Sequence, residues 1–292
     1  MRRALLTLGN EVLTLGNEHV LKPFDLKLVR RSRVSCSADE APPAKRIAFF
    51  HPPKCGGSSV RHSLSMVFGG PSRVDLASAY AAARTLGIGE MELCEGMLAY
   101  FVQRHDVPFI SGHFCYSRRV FAGREDEFDL ITILRNPLDR MLSHYYFARF
   151  KPAPDHFAPV DCELPEYLLT DRARLWATTF TRMFVGEIEA TKALHMGTAV
   201  ADAIDNLSRF AIVGTLEHLK EFEEAVQQRY KTRFSIGHLR KNPKAGYPKF
   251  SDQPSQVRDR LMELCQEDIA IYERFSKQPR PEQSFGDLPK VA

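Results

Sequence analysis

From residue 46 onward the chain alternates short, wholly apolar runs with longer stretches whose apolar positions recur every three or four residues. RIAFFH (46–51), VPFISGH (107–113), FDLITILR (128–135) and FAIVGTLE (210–217) are short, apolar and rich in β-branched or aromatic residues, the pattern of buried strands. The stretches 58–68, 77–104, 137–150, 175–185, 191–207 and 217–230 carry helical spacing. Leu194, Val200, Ile204 and Leu207, for instance, fall near one face. Four strands separated by helices long enough to serve as crossovers predict an α/β fold with parallel pairing. In such sheets ligands sit beyond the carboxyl ends of the strands, so the residues just after each strand are where chemistry is to be sought.

The first 45 residues break this pattern. TLGNE occurs twice, at 7–11 and 14–18, and a basic run, KLVRRSRV, leads into SADEAPPAK. Two short repeats cannot build a solenoid, so 1–45 reads as an appendage and linker, 46–280 as the main domain and 281–292 as a tail. The 292 residues, 44% of them hydrophobic, suffice for one sizeable core. Forty Lys and Arg against 36 Asp and Glu leave a net charge of +4, too weak and dispersed to point to nucleic acid as a partner. Six cysteines without a C-x-x-C pair suggest free thiols in a reducing cytoplasm. No apolar run approaches the roughly 20 residues of a membrane span. Arg2 and Arg3 are followed by a stretch interrupted by Gly, Asn and Glu, unlike an export signal. The expectation is a soluble, cytoplasmic protein.

The first strand runs through Pro52, Pro53, Lys54, Cys55, Gly56, Gly57, Ser58 and Ser59 directly into a helix. Glycines let the backbone approach an anion, the N–H groups of a helix start point at it, and the serines and Lys54 add donors and charge. The order differs from the G-x-x-x-x-G-K-[ST] loop of nucleoside triphosphatases, because the lysine precedes the glycines. Taken alone, Gly-Gly-Ser-Ser is equally well a strand-to-helix turn.

FDLITILRNPLDRMLS offers a second anion site. Arg135 ends a strand, Asn136 can cap, Pro137 suits a first helical turn, and Ser143 lies on the helix beyond. A guanidinium at that edge can hold a phosphate with two parallel hydrogen bonds. The plain alternative is a structural pair between Arg135 and Asp139.

Together the two segments resemble the PAPS-dependent sulfotransferases, particularly the carbohydrate branch of the heparan 2-O type and its bacterial relatives. The family's P-K-x-G-G-[ST]-[ST] is matched by Pro53, Lys54, Gly56, Gly57, Ser58 and Ser59, and its R-[DN]-P-x-x-R-x-x-S by Arg135, Asn136, Pro137, Arg140 and Ser143. Cys55 stands where the family often has threonine. The likeness spans about 46–275, weakly through VGTLEHL and the basic loop 240–251. It implies a P-loop-like three-layer fold, with the first segment binding the 5′-phosphosulfate of 3′-phosphoadenosine 5′-phosphosulfate (PAPS) and the second its 3′-phosphate. No metal is expected.

Sulfuryl transfer requires an in-line acceptor and neutralisation of the leaving phosphate, the role expected of Lys54. His113, just after the flexible Gly112, is the candidate general base, a role that the family's G-H segment also implies. His51 is the second candidate, although before Pro52 it can simply shape the loop. Glu217 reads as a carboxylate at a helix start, and Trp176 as core packing. A carbohydrate or small hydroxylated acceptor is expected. A small-metabolite kinase and a non-catalytic nucleotide-binding protein remain open.

Overall fold

The computed structural model describes residues 45–69, 72–73, 76–150, 159–186, 197–237 and 247–276. The appendage 1–45 except Lys45, residues 240–246 of the basic loop 240–251, residues 191–196 of the helical stretch 191–207, Leu194 among them, and the tail lie outside the described residues.

The predicted apolar runs form strands β1 (Arg46–Phe50), β3 (Phe109–Gly112), β4 (Phe128–Leu134) and β5 (Ile212–Thr215). A two-residue strand, β2 (Ser72–Arg73), adds an edge that no apolar run announced, and the all-parallel order is β2-β3-β1-β4-β5. Helices flank this sheet, the organisation of a three-layer α/β fold. Every residue of β4 is buried and all of β1 but Arg46, as expected of central strands covered on both faces. Arg46, at the start of β1, donates to the carbonyls of Phe101, Val102, Arg104 and Val107, tying down the carboxyl end of the helix that stops at Gln103 and the turn beyond it.

Helix α1 (Gly57–Phe68) follows β1 immediately. The single helix expected over 77–104 is two, α2 (Leu76–Leu86) and α3 (Glu90–Gln103), because Gly87 adopts a left-handed φ of 66° just past α2. After the short α4 (Arg118–Phe121), α5 (Pro137–Phe150) matches its expected bounds. The stretch 175–185 likewise divides: following α6 (Leu164–Tyr167), α7 (Asp171–Ala177) and α8 (Thr179–Phe184) meet at the non-helical Thr178. Beyond them lie α9 (Ala199–Ser208), a 3₁₀ turn (Leu216–His218), α10 (Leu219–Tyr230) and the 22-residue α11 (Ser255–Ser276).

Two apolar clusters hold these layers. The larger covers the sheet, with Ile47, Phe49, Phe50, Val60, Leu64, Phe109, Ile131 and Phe222 among its members. The smaller joins α5, α6, α7 and α11 through Met141, Leu142, Tyr145, Tyr167, Leu261 and Cys265. Beside it the fully buried Arg140 donates to Thr179 Oγ1 at 2.8 Å and to the carboxylate of Asp268 at 3.3 Å. Asp268 in turn accepts from the backbone amides of Phe180 and Thr181, closing the start of α8. Among the described residues the five cysteines are free, and no helix is long and apolar enough to cross a membrane.

Candidate functional site

The register brings three strand exits together. Phe50 pairs with Gly112 on one side and with Thr132 on the other, so His51 and His113 both follow the same rung of the sheet. The amide of His51 donates to Gly112 O at 2.9 Å, and His113 Nδ1 lies 2.5 Å from His51 O. A carbonyl only accepts, so Nδ1 carries the proton and Nε2 of His113 holds the lone pair. The two rings lie 4.3 Å apart, and His51 stacks on Phe49 at 5.8 Å. Burial, reinforced by the neighbouring positive charges, pushes His51 well below the ordinary histidine value. His113 is also lowered by burial, partly offset by its bond to the His51 carbonyl. Both imidazoles are therefore neutral at pH 7. His51 is 6% exposed and His113 more so, which leaves His113 the better placed of the two to meet a ligand.

The turn between β1 and α1 is shaped by its neighbours. Lys54 holds a left-handed φ of 69° and Gly56 one of 73°; the first is unusual for a residue with a side chain and stores backbone strain. A Cβ on Gly57 would lie 1.9 Å from the His51 ring, and one on Gly56 would lie 2.7 Å from Leu216. Glycine at both positions thus follows from close approach. No side chain caps α1, and Ser58 and Ser59 stand half-buried in its first turn. Such a helix start is an anion-binding position by its dipole and its amides. Cys55 is buried with its thiol pushed up to about 12 by burial, so it serves as a packed, protonated side chain whose backbone joins the cradle. The Lys54 ammonium sits 3.7 Å over the ring of Phe147 on α5.

Arg135, at the exit of β4, reaches across to this turn. It donates to Lys54 O at 3.1 Å and to the Tyr247 hydroxyl at 3.4 Å. These are neutral partners, and no ion pair or hydrogen bond to Asp139 takes their place. Asn136 Oδ1 accepts from the amides of Leu138 and Asp139 at 3.0 and 3.3 Å, the cap expected of it. Ser143 is 4% exposed, on the same helix, and no hydrogen bond joins it to Arg135. Arg140, although part of the motif match, turns inward: its terminal nitrogens donate to Thr179, Asp268 and the Trp176 carbonyl, while its buried Nε has no hydrogen-bond partner. The reason is local. Arg140 belongs to the buried side of α5, beneath the rim that Arg135 faces.

Phe147, Tyr247, Leu216 and the partners of Glu217 were not legible beforehand. Glu217 accepts from the amide of Asn136 at 2.9 Å and from the Tyr272 hydroxyl at 3.0 Å, so it does more than face its own helix dipole. Trp176 stacks on the buried His144 at 3.8 Å, in keeping with a packing role. Among the described residues no group of three or more His, Cys, Asp or Glu side chains is arranged to hold a metal ion. The sequence matches no protein-family model and no curated protein.

Proposed function

We propose that the chain is a sulfotransferase that moves a sulfuryl group from PAPS to a hydroxyl or amine of an acceptor, a carbohydrate or other small hydroxylated compound. The observation that carries this reading is the 3.1 Å hydrogen bond from Arg135 to Lys54 O. Two anion-binding turns, remote in sequence, abut at one sheet edge beside a neutral histidine.

The residues present fit such a donor. The uncapped start of α1, with Gly56 and Gly57 leaving the backbone bare, suits the 5′-phosphosulfate. Arg135 has neutral partners and can exchange them for a 3′-phosphate. In the reaction the acceptor oxygen attacks sulfur as the bond from sulfur to the bridging oxygen breaks. His113 Nε2 takes the acceptor proton, and Lys54 neutralises the charge that appears on the departing phosphate. The free thiols support a reducing, cytoplasmic setting.

Calorimetry with 3′-phosphoadenosine 5′-phosphate (PAP), ADP and ATP tests the donor assignment. The expected result is a clear preference for PAP that Arg135→Ala weakens, followed by sulfate transfer from PAPS to one of a panel of carbohydrate acceptors. Equal or tighter binding of ATP would overturn the reading in favour of a small-metabolite kinase.

A further inference from the structure

The chain leaving β5 touches both anion-binding turns at once. Leu216 lies against Gly56 so closely that a Cβ there would meet its Cδ1 at 2.7 Å. The next residue, Glu217, accepts from the amide of Asn136, immediately after Arg135, at 2.9 Å. Its second oxygen accepts from Tyr272 on α11 at 3.0 Å, which fixes the carboxylate in place. A carboxylate beside two anion sites opposes anions by its charge, so its presence there calls for a positional reason. We propose that Leu216 and Glu217 form a clamp that sets the spacing between the α1 cradle and Arg135, making Glu217 a positioning residue for recognition of the 3′-phosphate.

The identity of the ligand rests on the sulfotransferase reading; the clamp itself does not. Glu217 acts through Arg135 and touches no ligand, so its effect belongs to ligands that engage both turns. PAP spans both, whereas adenosine 5′-monophosphate (AMP) engages the cradle alone. Glutamine at 217 keeps one acceptor for the Asn136 amide and loses the charge-assisted bonds; alanine loses both.

The decisive experiment measures PAP and AMP affinities by calorimetry for wild type, Glu217→Ala, Glu217→Gln, Arg135→Ala and the double variant. Amide exchange is followed in the same set. Glu217→Ala should lower the PAP to AMP preference about 10-fold, the effect of one lost charge-assisted hydrogen bond. Glu217→Gln should retain part of that preference, and Arg135→Ala with Glu217→Ala should be no worse than Arg135→Ala alone. Exchange should quicken at Asn136, whose amide donates to Glu217, while the β1 and β4 amides stay protected. Equal weakening of both ligands, additive losses, or tighter PAP binding by both Glu217 variants would overturn the clamp. Exchange reports on the clamp whatever the ligand: unchanged protection at Asn136 sinks it. Failure of wild type to prefer PAP, with exchange altered as expected, sinks only the sulfotransferase reading.

Discussion

Arg135 and Arg140 lie on the same passage from β4 into α5, and their surroundings are opposite. Arg140 is wholly buried and meets the carboxylate of Asp268, with Thr179 and a main-chain carbonyl among its other partners. Arg135 stands half-buried at the rim and meets a carbonyl and a phenol, both neutral. A guanidinium already neutralised by a carboxylate has its charge spent on the scaffold, and removing one partner strands the other. A guanidinium held by neutral acceptors is oriented while its charge remains available to an anion. The partner, more than the residue type or its place in a motif, decides which of the two is committed to the scaffold and which keeps its charge available.

That contrast can be broken by substitution, beginning with the interior. Arg140→Ala leaves the Asp268 carboxylate buried without its counter-charge, and urea denaturation should show a loss of about 3–5 kcal/mol. The rim, where the proposed activity is tested, comes next. His113→Ala should lower kcat about 10³-fold in sulfate transfer while PAP affinity holds, the scale of losing a general base. Arg135→Ala should weaken PAP about 10- to 100-fold, with its melting temperature close to wild type. A fall in stability as large as that of Arg140→Ala would erase the distinction between the two arginines. The smallest effect is expected of Phe147→Leu, which removes the ring beneath the Lys54 ammonium and should cost about 0.5–1 kcal/mol of transition-state stabilisation, read as a roughly two- to fivefold loss of kcat.

Acidity sharpens the same contrast between interior and rim. His51, His113 and His144 are all lowered by burial from the ordinary value of 6.5. A lowered histidine binds fewer protons folded than unfolded, so its contribution to stability is full above the unfolded value and declines as pH falls below it, by up to about 1.4 kcal/mol per pH unit for each such group. Urea midpoints should therefore drop as pH is lowered from 7 toward 5. On the proposed mechanism, with His113 as the base, the acid limb of kcat/KM should lie below 6.5.

How legible all this was in the sequence depended on how local the signal was. The four principal strands and α5 were marked by continuous apolar runs and by the Asn136 and Pro137 start, and they stand within a few residues of their expected bounds. The glycine-rich turn and Arg135 were legible because both fall just after such strands. The break at Gly87 was written in the sequence, yet helical spacing on both sides masked it. Helix α11 was missed because its buried stripe, Val257, Leu261, Leu264, Cys265, Asp268, Ile271 and Phe275, includes a carboxylate amid many charged neighbours. Nothing local says that Asp268 belongs to Arg140, that Tyr247 reaches Arg135, or that Leu216 covers Gly56. Those contacts are made by the closing of the sheet.

The order β2-β3-β1-β4-β5 also has a consequence during synthesis. The cradle leaves the ribosome among the first segments of the domain, but its neighbour Arg135 follows only with β4, and Leu216 and Glu217 only with β5. A nascent chain halted before β5 would hold the glycine turn to the second turn only through the β1–β4 pairing and the Arg135 bond to Lys54 O, without Leu216 and Glu217 to brace it. Because parallel pairings of this kind close late and over long sequence separations, the brace between the two turns is completed only after β5 has been made.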